Sequence, residues 1–294
     1  MGNTRILTRE FEYVAPETMP ELLALLDRHG PAATIIAGGT DVVPQLKYET
    51  ISPDYLIDVT KIAELCTVRR DGTLHIGAAV KLRDVKAYCR DHEIYACLDD
   101  ALGSIGQVQV VNMGTLGGNL CTASPAADAA LALLVLEAQV RLIGSSGERI
   151  VALDAFFRGP KLTCMEPGEV LAEIQVPAVA DHTGSAFRKI GRVAGDISKI
   201  SCAVAVQSDG ERCLSCRIGM GAVGPTPMRM PGVEQLLSGR AIDTDVMDEA
   251  ADRLAADISP LTDARSTEFY RRRVSRVLFK DTFDQAWKRV QRQP

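Results

Sequence analysis

Histidine is scarce in this sequence: His29, His75, His92 and His182 are the whole supply, and their spacing suits no metal site. There is also no G-x-S-x-G elbow and no G-x-x-x-x-G-K-[S/T] loop, so serine-hydrolase and P-loop chemistry are excluded. No apolar run approaches the roughly 18 residues of a membrane span. The longest, Ala129 to Leu136, is closed in by Asp128 and Glu137. Positive charge is not in excess either. The formal net charge is -5, which argues against a nucleic-acid partner. The first ten residues, M-G-N-T-R-I-L-T-R-E, lack the apolar core of a signal peptide, and Ile6 stands where a myristoylation signal needs Ser or Thr. A cytoplasmic location is the expectation.

Cysteine is present but unorganised. Eight residues scattered over 294 read as reduced cytosolic thiols rather than a disulfide framework. Cys213 and Cys216 form a C-x-x-C on a predicted strand, where residues i and i+3 face opposite sides. No second pair completes a metal site, and none is expected. The G-x-G-x-x-G run at Gly219–Gly224 is followed by Pro225 and Pro227, so no helix opens there as a dinucleotide fold requires.

What the sequence does have is glycine in two polar turns. The stretch Asn112 to Asp128 reads N-M-G-T-L-G-G-N-L-C-T-A-S-P-A-A-D. Gly114, Gly117 and Gly118 crowd a short turn whose consecutive N–H groups could converge on an anion. Ser124 and Pro125 stop it, and Asp128 opens a buried helix, an acid where a cap is normal. Ahead of it in the chain lies a first such turn: the short apolar strand Ala33-Thr34-Ile35-Ile36 runs into Ala37-Gly38-Gly39-Thr40-Asp41 and then a helix over Val42 to Tyr48. Two such turns suit one shared, phosphate-bearing ligand. Cys121 beside the second turn reads as small-residue packing.

Around them the pattern is mixed. Thr18 and Glu21 form a capping-box pair, Pro20 sits in the first turn and Gly30 closes that helix over Leu22, Leu23 and Leu26. Tyr55 to Val59 reads as a strand, and Asp71-Gly72 marks a hairpin between residues 65–70 and 73–77. Residues 81–90 and 94–105 read as helices, and strands are expected near 138–143, 149–153 and 170–176. After a polar break at 178–184, three antiparallel strands (185–190, 197–207 and 213–220) precede helices over 245–257 and 266–290. The last helix is expected to bury Phe269, Val274, Val277, Leu278, Ala286 and Trp287 and to turn Arg271, Arg272, Arg273, Arg276, Lys280 and Lys288 outward.

The A-G-G-T-D turn at 37–41, the G-T-L-G-G-N run at 114–119, the S-P-A-A-D run ending at Asp128, and Phe187-Arg188-Lys189 with Asp196-Ile197 come in an order that resembles the FAD-binding subunit of the molybdenum hydroxylases. That family includes xanthine, carbon monoxide and nicotinate dehydrogenases. The resemblance implies an α+β fold: a two-part FAD-binding domain of the vanillyl-alcohol-oxidase-like (PCMH) type, then a small domain of antiparallel sheet plus helices. The expected division is 1–178, with parts 1–58 and 59–178, and 179–294.

Carried over, the resemblance gives Ala37, Gly38, Gly39, Thr40 and Asp41 to the FAD pyrophosphate and Thr115, Gly117, Gly118 and Asn119 to a second wall, with Ile35, Ile36, Val42 and Gly114 beside them as further cofactor-binding residues. Asp128 would accept from the ribose or ring side chain, Leu171 would lie along the ligand, and Ile105 and Gly106 would touch it. Arg188 or Lys189 would reach the flavin. No His lies in either turn, so FAD is expected to be held non-covalently. Catalysis would centre on the flavin, with no catalytic side chain. A cysteine-rich iron–sulfur insertion found in one subgroup is missing, because Ser124-Pro125 follows the second turn at once. The molybdenum cofactor and [2Fe-2S] clusters would sit on a large and a small partner subunit, with NAD or another acceptor taking the electrons. A stand-alone FAD-dependent oxidase or reductase and a non-catalytic nucleotide-binding module remain open at this point.

Overall fold

The computed structural model describes Leu7 and residues 9–292; residues 1–6 and 8, on which the targeting reading rests, lie outside it. The first part runs β1 (Glu12–Val14), α1 (Met19–His29), β2 (Ala33–Ile36), α2 (Val42–Lys47) and β3 (Tyr55–Asp58). Next come β4 (Val68–Arg70), β5 (Leu74–Gly77), α3 (Leu82–Arg90), α4 (Ala96–Ser104), α5 (Val108–Met113), α6 (Leu116–Cys121) and α7 (Asp128–Val135). The second part then closes with β6 (Gln139–Gly144), β7 (Gly147–Ala152), α8 (Leu153–Phe156), β8 (Phe157–Gly159), β9 (Leu162–Thr163) and β10 (Val170–Val176). The third part is β11 (Thr183–Ile190), β12 (Ile200–Ser208), β13 (Cys213–Gly221), β14 (Met228–Arg229), α9 (Pro231–Leu237), α10 (Thr244–Asp257) and α11 (Glu268–Val290).

Local chemistry explains the first helix. Thr18 Oγ1 accepts the Glu21 N–H, Pro20 occupies the first turn, and Gly30 ends the helix at φ 51°. Leu22 and Leu26 turn to the core, while β1 and β2 flank β3 in a parallel sheet. In the second part Gly72, at φ 99°, closes the β4–β5 hairpin. The apolar strand β10 lies between β5 and β6 in a five-stranded antiparallel sheet, where such a strand can be buried on both faces.

After Asp128, helix α7 is apolar all round, and it is buried at every position, which a helix tolerates only between two layers. One layer is formed by α4 and α6. The other is the four-stranded antiparallel sheet β11–β12–β13–β14 of the third part. A Cβ on Gly219 would come 2.8 Å from Leu131 Cδ1, so the G-x-G run is glycine where β13 passes close over α7. Phe187, Ala203 and Ala205 of the third part join the core of the second. A separate core lies between the other face of that sheet and α9–α11.

Three local expectations change. Helix α11 is rotated from the predicted face: Arg271, Ser275, Leu278, Phe279, Thr282, Phe283 and Ala286 are buried, whereas Phe269 and Val277 are 72% and 58% exposed. Arg271 goes inward because Ala222 O and Asp263 accept its guanidinium N–H groups. Strand β12 begins at Ile200, and Ile197 to Lys199 belong to the preceding link. A register shift between β12 and β13 pairs Cys213 with Ser208 but Ser215 with Gln207, so Cys213 and Cys216 both face inward. The described residues hold no group of three or more His, Cys, Asp or Glu side chains that could bind a metal ion.

Candidate functional site

The first glycine turn leaves the end of β2, where Ile36 O accepts the Val59 N–H from the β3 side. Gly39 takes φ 70°, and the chain turns directly into α2. A Cβ on Gly38 would stand 2.1 Å from Met113 O and 2.7 Å from Gly114 Cα, so only glycine lets the two turns pack together. Among the described residues, the N–H groups of Gly38, Gly39, Thr40 and Asp41 make no hydrogen bond within the chain. Four free amides in succession are what an anion-binding turn requires. Ile35, Ile36, Ala37 and Val42 are only half-buried, which leaves one side of this wall open.

The second turn differs from the expectation. Gly117 and Gly118 belong to α6, capped by Thr115, whose Oγ1 accepts the Gly118 N–H at 3.1 Å. The other amides are spent as well: Leu116 N–H donates to Val80 O, Gly117 N–H to Ala78 O and Asn119 N–H to Thr115 O. This segment therefore offers a surface rather than a row of donors. Gly117 is glycine because a Cβ would lie 2.5 Å from the Ala78 Cβ. Gly118, by contrast, is exposed, with only Thr115 Oγ1 near its Cβ position. Asn119 Oδ1 is buried without a partner among the described residues. Thr122 Oγ1 is shared between Gly118 O at 2.9 Å and Asp41 Oδ2 at 3.2 Å, which brings the two segments together. Cys121 is exposed, with its sulfur 3.9 Å from that of Met165.

Asp128 is not a cap, since Ala127 holds that position without a side-chain bond. Its carboxylate is 5% exposed and is met by Lys189 Nζ at 2.8 Å, Ser198 Oγ at 2.6 Å and Ser104 Oγ at 3.4 Å. Burial pushes the Asp128 carboxyl above the usual carboxylate range, opposed by the Lys189 ammonium and the two hydroxyls. Alternation along β11 sends its neighbours opposite ways. Lys189 points to Asp128, whereas Arg188 lies on the α11 side, 4.0 Å from Asp281. Leu171 is buried at the irregularity in β10, Ile105 ends α4, and Gly106 follows at φ 49°.

Ser104, Thr122 and Ser198 were not singled out in the sequence. Their partners stand 24, 81 and 70 residues away, and no local pattern carries such a pairing.

Residues 9–179 match the family model described as the FAD binding domain in molybdopterin dehydrogenase. Residues 185–286 match the CO dehydrogenase flavoprotein C-terminal domain. The carbon monoxide dehydrogenase medium chain of Hydrogenophaga pseudoflava is 34% identical over 280 residues, 95% of this chain and 98% of the relative. The glyceraldehyde dehydrogenase medium chain of Sulfolobus acidocaldarius is 33% identical over 275 residues, 93% and 97% of the two chains. Among solved structures, carbon monoxide dehydrogenase from Hydrogenophaga pseudoflava superposes with a TM-score of 0.91 at 33% identity, covering 96% of this chain and 99% of that one. Quinoline 2-oxidoreductase from Pseudomonas putida 86 gives 0.89 at 27% identity, covering 95% and 98%.

Proposed function

The chain belongs to the FAD-binding subunits of the molybdopterin dehydrogenases, and from that premise we propose that it carries electrons within a heteromeric complex, from a partner's iron–sulfur clusters to NAD or another acceptor. The complex would contain a large molybdopterin-binding subunit and a small [2Fe-2S] subunit. Bound FAD supplies the redox chemistry, in one- or two-electron steps, while the chain supplies position and surroundings.

The observation that carries this reading is the run of four free amides at Gly38–Asp41, packed against the Gly114–Asn119 segment. The residues fit a dinucleotide with a pyrophosphate. The free amides donate to phosphate oxygens. The open side of Gly118 leaves room for them, and Asn119 Oδ1 is an acceptor awaiting a ligand N–H. Asp128 has about four acceptor positions on its two oxygens, and Lys189 and Ser198 fill two of them while the Ser104 proton goes to Ala101 O at 2.7 Å, so acceptor capacity remains for the ribose or ring side chain. Leu171, Ile105 and Gly106 would lie along the rest of the cofactor.

The test is made on the purified chain alone. It is expected to show a flavin absorption spectrum and to release the yellow colour on acid precipitation. It is also expected to turn over no aldehyde, purine or pyridine substrate until the large and small subunits are added. Robust turnover by the flavin-loaded single chain would replace this reading with a stand-alone oxidase. A chain that takes up no flavin would remove both.

A further inference from the structure

The link between β11 and β12, residues 191–199, is not a loose connection. Arg192 closes on Asp196 through Nε at 2.7 Å, and Asp196 Oδ1 accepts the Ile197 N–H at 2.9 Å, so the link is tied to itself. It is then fastened at three points. Lys189 Nζ donates to Asp196 O at 2.9 Å while holding Asp128. Ser198, 1% exposed, donates to the other Asp128 oxygen. Gly195, at φ 77°, seats against the α4–α5 corner, where a Cβ would stand 2.4 Å from Gly106 O. Asp128 and Gly106 belong to the second part of the chain, and the link belongs to the third. One buried carboxylate therefore joins the two parts.

We infer that Lys189 and Ser198 are positioning residues: they hold Asp128 and the 191–199 link as one rigid unit, and cofactor affinity depends on that unit. This rests on the FAD reading above, but the anchor itself is a property of the chain alone. Lys189 satisfies two of its three N–H donors within the chain, and Ser198 spends its single donor on Asp128. Losing either donor leaves a buried carboxylate under-satisfied and frees the link at Asp196 or at Ser198.

The experiment compares wild type with Ser198→Ala, Lys189→Met and Lys189→Arg as full chains, with and without FAD. Amide hydrogen exchange and FAD equilibrium binding are the readouts. In Ser198→Ala, exchange across 191–199 is expected to quicken in the apo chain while the α10–α11 core keeps wild-type protection. The FAD dissociation constant is expected to rise about tenfold, the loss of one hydrogen bond to a charged group. Lys189→Met is expected to weaken binding further, and Lys189→Arg to restore most of it. Unchanged exchange over 191–199 in apo Ser198→Ala overturns the anchor, as does a loss of protection spread equally through α10 and α11. Faster exchange at the link with unchanged FAD affinity overturns its bearing on the cofactor. A wild-type chain that binds no FAD overturns the proposed function instead, and the apo exchange still reads the anchor.

Discussion

Gly38 and Gly118 both belong to the candidate site, but they are glycine for different reasons. Adding one methyl at Gly38 drives it into Met113 O and Gly114 Cα, both backbone, so the two segments must separate. Gly38→Ala is expected to cost about 1–3 kcal/mol of stability and to lose FAD with it. At Gly118 the only nearby atom is Thr115 Oγ1, at 2.9 Å, and the remaining space is open. A valine there crowds the cap and fills the side from which a ligand approaches. Gly118→Val is therefore expected to melt within a few degrees of wild type and yet purify without flavin. Thermal unfolding together with flavin content per chain separates the two cases. Wild-type flavin content in Gly118→Val would mean that this segment is no wall.

At the scale of the element, the sheet strand β10 carries a charge that makes stability depend on pH. Glu173 sits opposite the β5 and β6 strands, with His75 Nδ1 at 2.9 Å, the Gln175 amide donating at 2.7 Å and Arg141 Nε at 3.8 Å. Burial works to raise its carboxyl, but these partners prevail and hold it below the ordinary glutamate range. A carboxyl lowered by folding adds stability that is complete above its unfolded value, about 4.3, and is lost as pH falls through the lower folded value. Urea unfolding at descending pH is expected to show that loss in wild type and a flatter profile in Glu173→Gln. Equal slopes would remove Glu173 from the account. Other elements were plain from pattern alone. The Thr18 cap with Gly30, the Asp71-Gly72 hairpin and the apolar α7 each announce themselves within a few residues. The face of α11 did not, because Arg271 is buried by acceptors at Ala222 and Asp263 that no helical period reveals. The run Gly114–Asn119 read as a turn because a Thr-capped six-residue helix rich in glycine has a turn's composition. In the cleft, the first turn's free amides follow from its glycines, whereas Ser198 reaches Asp128 only through the tertiary fold.

For the whole molecule, Asp100 on α4 does for stability what a linker cannot. It accepts Arg289 Nη1 at 2.6 Å and Nη2 at 3.0 Å from the end of α11, and the Phe187 N–H from β11 at 3.1 Å. Both charged side chains are about four-fifths buried, so water screens the pair only in part. Asp100→Ala is expected to cost about 2–3 kcal/mol, while unfolding stays a single transition sensed by every part of the chain. Two separate transitions in urea would show that the parts are energetically independent. The shared core has a consequence for biosynthesis. Helices α4 and α7 are sealed on one side by Phe187, Ala203 and Ala205, which leave the ribosome well after the glycine turns do. At about 5–20 residues per second, the nascent chain spends seconds with that apolar side uncovered. A chain that stops before Phe187 is therefore expected to keep that apolar side uncovered and to aggregate rather than behave as a smaller flavoprotein.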